Sequence, residues 1–359
     1  MTGRVLHIVP DNELGGGNAN VARLLRTLDH DGRALLPRNA VGSVRELFAP
    51  LPHEFGRYDG RGSVVAMARA IARAAAPGDV IHAHGTRAAI AGMLAKWLRR
   101  DVRLVYTVRG FHGLAQPGPL GLRRRMDDLL ARNVDAMVFL SHADKTWAEE
   151  SGIRYRCPAQ VIHNGIDLTP PPPDAERDVD VLFVGRMVYQ KNPQAMVETL
   201  ALLPRDLRIT VVGDGDLSEE IDRRLEAAGL SHVDRRRQVS HAETLALIAR
   251  ARVLVMTSRW EGLPTVSLEA TLSRCLVCAF EIPPLVEILD AAAPDCLTPH
   301  EPEALAETIR ARLADETGRR ELVERAHQRA LRLYTPKPTA EAYGGLYRSL
   351  DLRAGGVRV

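Results

Sequence analysis

Two carboxylates, Glu261 and Glu269, frame the segment Ser258-Arg259-Trp260-Glu261-Gly262-Leu263-Pro264-Thr265-Val266-Ser267-Leu268-Glu269. An apolar strand pattern, Val253 to Met256, precedes it, and a helical pattern, Val266 to Leu272, follows. A helix N-terminus there offers free N–H groups and a positive dipole end, a setting that suits a diphosphate. Pro264 is tolerated at the first turn because its missing N–H would be unpaired anyway. Glu261 falls in the loop and Glu269 about one turn inside the helix, so the pair can accept hydrogen bonds from sugar hydroxyls at either end of a diphosphate. A second group, Gly185-Arg186-Met187-Val188-Tyr189-Gln190-Lys191, follows the apolar run Val181 to Val184. Arg186 and Lys191 at the exit of a parallel strand would place fixed positive charge where a departing pyrophosphate gains negative charge. The third group is Gly15-Gly16-Gly17-Asn18, behind the first apolar run. Its glycines admit backbone N–H groups to a phosphate or sugar. The spacing does not fit G-x-G-x-x-G, which argues against a dinucleotide site.

These groups need sheets to hold them. Short apolar runs alternate with helical patterns: strands at Arg4–Val9, Asp79–His82, Val102–Thr107 and Ala136–Leu140, with helices at 20–28, 87–98 and 143–150. Four consecutive prolines, Pro170 to Pro173, interrupt the rhythm as a stiff extended spacer. It restarts with strands at 179–184, 207–212, 253–256 and 276–280 and helices between and after them. The pattern predicts an α/β chain of two doubly wound domains, 1–168 and 169–337, since strand–helix alternation gives parallel sheets. Ligands of such sheets bind beyond the carboxyl ends of the strands, so two facing sheets would make an interdomain cleft.

Composition narrows the function classes. A chain of 359 residues exceeds the usual size of one core. A net charge of +3 is too small to suggest a nucleic-acid partner. The runs Arg123–Arg125 and Arg235–Arg237 read as solvated faces. The first also fits a basic amphipathic helix, 119–133, suited to peripheral contact with an anionic membrane. No apolar run reaches the length of a membrane span and the N-terminus shows no signal-peptide pattern, so the expected place is the cytoplasm, at the inner face of the membrane if the basic helix binds there. Four cysteines fit a reducing compartment, and Cys275-Leu276-Val277-Cys278 reads as a buried strand, since no second pair completes a zinc site. Asp178-Val179-Asp180 has the D-x-D spacing of a metal site but opens a strand beside the spacer, so no metal and no cofactor are expected.

Several motifs in order resemble the retaining glycosyltransferases of family four, which have the GT-B fold of two facing Rossmann-like domains. They are Gly15-Gly16-Gly17, His82-Ala83-His84-Gly85, Thr107-Val108-Arg109-Gly110-Phe111-His112, His163-Asn164-Gly165-Ile166-Asp167, Gly185-Arg186 with Lys191, Val212-Gly213-Asp214-Gly215, and Glu261-x7-Glu269. The resemblance implies that a UDP- or GDP-sugar is the donor and a hydroxyl the acceptor, on a glycan or lipid-linked glycan of the cell surface. It implies that Arg186 and Lys191 bind the donor diphosphate, Glu261 faces the transferred sugar, and Glu269 binds the ribose. Backbone groups of Gly262, Leu263 and Thr265 would approach the diphosphate and sugar, with Gly16 and Gly17 closing over the phosphate. The tail, 338–359 with Tyr343-Gly344-Gly345-Leu346-Tyr347, resembles the family's last helix, which returns to the N-terminal domain.

Two departures bear on catalysis and donor choice. Arg109 stands where the family carries His near the reacting sugar; His112 is then the nearest imidazole and a catalytic candidate with Glu261, while His84 and Arg109 are acceptor-side candidates. The stretches Arg274–Val277 and Ile282–Glu287 replace the family's Gly-x-P-V and Gly-Gly-before-Glu patterns, which would touch the donor. Two other readings stay open on the same fold: a UDP-sugar 2-epimerase, and a nucleotide-sugar binder that no longer catalyses.

Overall fold

The computed structural model describes residues 4–13, 16–60, 62–109, 120–168, 171 and 176–354. The chain divides into two compact units, 1–167 with 334–359, and 168–333. The chain therefore passes between units at Asp167–Leu168 and Leu333–Tyr334, against the expected divisions 168/169 and 337/338.

The first unit runs β1 (Val5–Ile8), α1 (Gly16–Thr27), β2 (Gly32–Pro37), α2 (Gly42–Phe48), β3 (His53–Gly56), α3 (Val64–Ala74), β4 (Val80–His84), α4 (Thr86–Leu98), β5 (Arg103–Thr107), α5 (Leu120–Asn133), β6 (Ala136–Phe139), α6 (His142–Glu150) and β7 (Ala159–Val161). Its seven strands lie in the order β3-β2-β1-β4-β5-β6-β7, all parallel. The second unit runs β8 (Val179–Val184), α7 (Pro193–Ala201), β9 (Ile209–Val212), α8 (Ser218–Ala227), β10 (Asp234–Arg236), α9 (His241–Arg250), β11 (Ala251–Met256), α10 (Thr265–Leu272), β12 (Leu276–Phe280), α11 (Pro283–Leu289), α12 (Ala293–Cys296), β13 (Leu297–Thr298), α13 (Pro302–Ala314) and α14 (Glu316–Leu333). Its six strands, also parallel, lie in the order β10-β9-β8-β11-β12-β13. A last helix, α15 (Pro336–Ala354), belongs to the first unit.

Both sheets reverse their strand order once, between β1 and β4 and between β8 and β11. A ligand crevice opens at such a point because the loops leaving the two strands diverge to opposite faces. The segment 185–192 leaves β8 and the segment 257–264 leaves β11, so the fold brings these two loops to one place. In the first unit the loop after β1 enters α1, and β4 ends at His84.

Alternation along the strands of the first unit sorts side chains between two faces. Leu6, Ile8, Ile81, Ala83, Leu104 and Tyr106 pack with α3 and α4. Val5, Val80, Val105 and Val138 pack against Tyr343, Leu346, Tyr347 and Leu350 of α15. The glycine of His163-Asn164-Gly165 is required by this return: a Cβ there would lie 2.7 Å from Pro336 Cα and from the carbonyl oxygen of Thr335. Ile166 N–H donates to the Tyr334 carbonyl over 2.6 Å, joining the two crossing strands of chain.

Several sequence features resolve into structure rather than chemistry. Asp178 accepts from Arg250, and Asp180 from the backbone N–H (2.9 Å) and side chain of Arg208, so the D-x-D carboxylates are held by arginines. Cys275 and Cys278 are buried in and beside β12, and burial pushes the Cys275 thiol up to about 12, which leaves it an inert thiol. Arg235 and Arg237 pair with Asp222, and Arg236 with Asp234. Residues 120–133 form the expected helix α5, in which Leu130 is buried and Leu129 exposed. Among the described residues, no helix is long and apolar enough to cross a membrane.

Candidate active site

At the switch point of the second sheet, Lys191 Nζ donates to Glu261 Oε1 over 2.5 Å. Ser258 Oγ donates to the same oxygen at 2.8 Å, and Gln190 Nε2 lies 3.3 Å from Oε2. The two loops are tied by backbone as well. Thr257 Oγ1 sits 3.0 Å from the carbonyls of Lys191 and Asn192, and Arg259 N–H donates to the Gln190 carbonyl at 2.9 Å. Asn192 adopts a left-handed conformation (φ 50°), which ends the single 3-10 turn Tyr189–Lys191 and lets Pro193 start α7. Arg259 covers the Tyr189 ring at 4.5 Å and donates to Asn192 Oδ1. Lys191 is thus held with its ammonium on Glu261, both side chains largely out of water.

A lysine so placed leaves donors to spare, since an ammonium has three and Glu261 takes one. Arg186 lies exposed in the same loop, and among the described residues its guanidinium makes no hydrogen bond or ion pair. α10 starts at Thr265 with no side-chain cap, and among the described residues the amides of Gly262, Leu263, Thr265 and Val266 have no acceptor. Positive charge, free amides and one buried carboxylate therefore converge. This arrangement can hold a diphosphate and present a carboxylate to a sugar attached to it. Glu269 lies one turn inside α10, a helix buried along most of its length, with its side chain 6% exposed and His241 Nε2 at 3.7 Å.

The glycines of Val212-Gly213-Asp214-Gly215 shape this site rather than line it. Gly213 and Gly215 have φ of 135° and 157°, and a Cβ on Gly213 would lie 1.9 Å from the Gly185 carbonyl oxygen. Met187 N–H donates to the Asp214 carbonyl at 3.0 Å, so the loop carrying Arg186 is laid against this bare backbone.

In the first unit, α1 begins at Gly16, earlier than the expected start at Asn20, so Gly16 and Gly17 form its first turn. Gly17 approaches Arg109 closely: a Cβ there would lie 3.1 Å from Nη1. Arg109 Nη2 lies 3.1 Å from His84 Nδ1. The expected catalytic imidazole, His112, lies outside the described residues. His84 belongs to a cluster not anticipated. His7 Nδ1 is 3.1 Å from His84 Nε2, and His7 Nε2 is 3.3 Å from His30 Nε2. His82 contacts the Tyr347 hydroxyl and Thr107 Oγ1, each at 2.7 Å, and Thr107 lies 3.2 Å from the Tyr343 hydroxyl. The signal was the period of two: His7, His82, His84 and Thr107 continue the Val5, Val80 and Val105 face, and the register pairs His7 with His82 and His84 with Thr107.

Ring nitrogens of His7, His82 and His84 lie within 4.8 Å of one another, near enough to hold a metal ion. The donor set is poor for one, because the ring nitrogens are taken up by neighbours and a guanidinium sits beside them. Burial holds all three imidazoles well below the ordinary value of 6.5, with each other's charge and that of Arg109 adding to the effect. They are neutral when folded. As pH falls through about 6.5 the unfolded chain takes up protons that the folded chain refuses, so stability drops with acid and is level above about pH 7. Urea midpoints measured from pH 8 to pH 5.5 should fall only in the acid half; a flat profile would contradict neutral, buried histidines.

Two parallel doubly wound sheets, each with one switch point, make the GT-B architecture. "Glycosyltransferase Family 4" matches residues 19–170 and "Glycosyl transferases group 1" residues 169–329, and the chain belongs to family four of the glycosyltransferases. In structure it is similar to Anabaena HepE solved with UDP and glucose, at a TM-score of 0.82 and 20% identity over 96% of this chain and 99% of that one. In sequence it is similar to a Campylobacter jejuni alpha-1,4-N-acetyl-D-galactosaminyltransferase named for a diNAcBac-PP-undecaprenol-linked saccharide, 29% identical over 201 residues, 54% of this chain and 55% of that one. It is also similar to the alpha-D-kanosaminyltransferase of Streptomyces kanamyceticus, 25% identical over 178 residues, 48% of this chain and 46% of that one. The match spans about half the length of each of these two relatives.

Proposed function

We propose that the protein transfers a sugar, with retention of anomeric configuration, from a UDP- or GDP-sugar to a hydroxyl acceptor in cell-surface glycan biosynthesis. The observation that carries this is the Lys191–Glu261 pair set between the exposed Arg186 and the uncapped start of α10. Arg186, Lys191 and the amides of Gly262, Leu263 and Thr265 take the diphosphate; Glu261 faces the transferred sugar; Glu269 takes the ribose. Positive side chains neutralise the leaving group, so no metal is assigned to the reaction. A phosphate oxygen of the departing diphosphate takes the acceptor's proton as the glycosidic bond breaks, which spares the chemistry a dedicated imidazole where Arg109 stands. The names of HepE's ligands favour UDP over GDP, and the undecaprenol-linked acceptor named for the Campylobacter relative favours a lipid-linked glycan, which would place the protein at the inner face of the membrane.

The test is slow donor hydrolysis followed by proton NMR. A retaining transferase releases the α-sugar first from a UDP-α-sugar; release of the β-anomer would contradict retention. UDP-N-acetylglucosamine incubated alone separates the second reading, since only an epimerase makes a 2-epimer without an acceptor.

A further inference from the structure

Arg109 is a half-buried cation with no anion bonded to it among the described residues. Burial pulls its guanidinium down to about 10, which still leaves it charged at neutral pH. Among the described residues no carboxylate bonds to it. Asp11, exposed, and the Tyr343 hydroxyl act on it only through space. Its Nε is buried and has no hydrogen-bond partner. A buried donor without an acceptor is costly.

The neighbours make the deficit deeper. Nη1 faces Gly17 in the first turn of α1, where the helix dipole adds positive potential of its own. Nη2 meets His84 Nδ1, and a guanidinium only donates, so Nδ1 accepts and the His84 proton sits on Nε2. That proton points at His7 Nδ1, which places the His7 proton on Nε2, towards His30 Nε2; His30 Nδ1 then faces the Leu28 carbonyl at 3.4 Å. One direction of donation runs from Arg109 to the Leu28 carbonyl, and every member of it is neutral except the first. The histidines orient the guanidinium and supply no negative charge.

We propose that Arg109 is an anion-binding residue, its half-buried guanidinium held by His84 and offered to a phosphate or carboxylate group of a substrate. It rests on the transferase reading for what the anion belongs to: the donor's diphosphate or an anionic group on the acceptor. His84 is a positioning residue in this arrangement.

Inorganic phosphate is the probe, titrated calorimetrically into the full chain carrying Arg186→Ala and Lys191→Ala, which removes the other site's cations. Adding Arg109→Gln, which keeps a hydrogen-bond donor towards His84, should weaken phosphate at least about tenfold, since a charge-assisted hydrogen bond is lost. Unchanged phosphate binding would overturn the proposal. Should Arg109→Gln fail to fold, histidine side-chain NMR of the unaltered protein decides: phosphate must move the His84 and His7 imidazole signals, and their staying still overturns it. UDP separates the two sources, using Arg109→Gln alone. Phosphate binding lost with UDP affinity unchanged places the anion on the acceptor; both weakened places it on the donor. A wild-type protein that binds no UDP contradicts the transferase reading and leaves the phosphate titration to judge Arg109.

Discussion

Lys191→Ala is expected to lower sugar transfer about 10²–10³-fold while the protein still folds, the loss typical of removing one group that stabilises charge in a transition state. The ammonium is fixed 2.5 Å from Glu261, with the loops that carry it tied by Thr257 and Arg259, so it costs little reorganisation when the diphosphate gains charge. Its removal also leaves the Glu261 carboxylate with Ser258 and Gln190 as its remaining partners. Lys191→Arg should recover only part of the rate, because a planar fork does not reproduce a compact ammonium at that distance. Turnover with a saturating donor, beside far-UV circular dichroism and a urea midpoint, measures both halves. Wild-type turnover in the alanine variant would sink the assignment of Lys191.

Gly213→Ala is expected to cost about 3 kcal/mol or more of folding stability. A side chain at φ 135° is strained by about 1–3 kcal/mol on its own. The new Cβ would also lie 1.9 Å from the Gly185 carbonyl oxygen, a contact that only backbone movement relieves. Gly229→Ala is the control: its φ of 66° is left-handed too, yet a Cβ there meets nothing within 4 Å. That variant should lose about 1–2 kcal/mol, the strain alone. Equal losses in the two would show that the close packing of the 185–188 loop against Gly213 carries no weight. Because that loop bears Arg186, residual folded Gly213→Ala should also bind a nucleotide diphosphate more weakly.

Residue types reveal some of this architecture and conceal the rest. Apolar strands such as Val179–Val184 and Leu276–Phe280 stand out because a parallel sheet covered on both faces needs continuous apolar runs. β10 is hidden, since Asp234–Arg236 is an edge strand whose arginines are satisfied by Asp222 and Asp234, and its letters show only a basic run. The start of α1 is hidden for another reason. Glycine is a poor helix former, so Gly16 and Gly17 read as turn, although they open the helix with Gly17 set against the Arg109 guanidinium. Glu261 and Lys191 were each visible as chemistry, but their pairing bridges two loops, and only the crossover between β8 and β11 brings them together. The histidine row around His84 shows a further limit: its members alternate with valines and read as core until the strand register sets them side by side.

Calorimetric titration of UDP tests the donor site most directly. The wild-type chain should bind UDP, and Arg186→Ala with Lys191→Ala should weaken it at least about tenfold, since the proposed clamp assigns each cation charge-assisted hydrogen bonds to the diphosphate. Equal affinity in the two proteins would contradict a diphosphate clamp at the β8–β11 switch point.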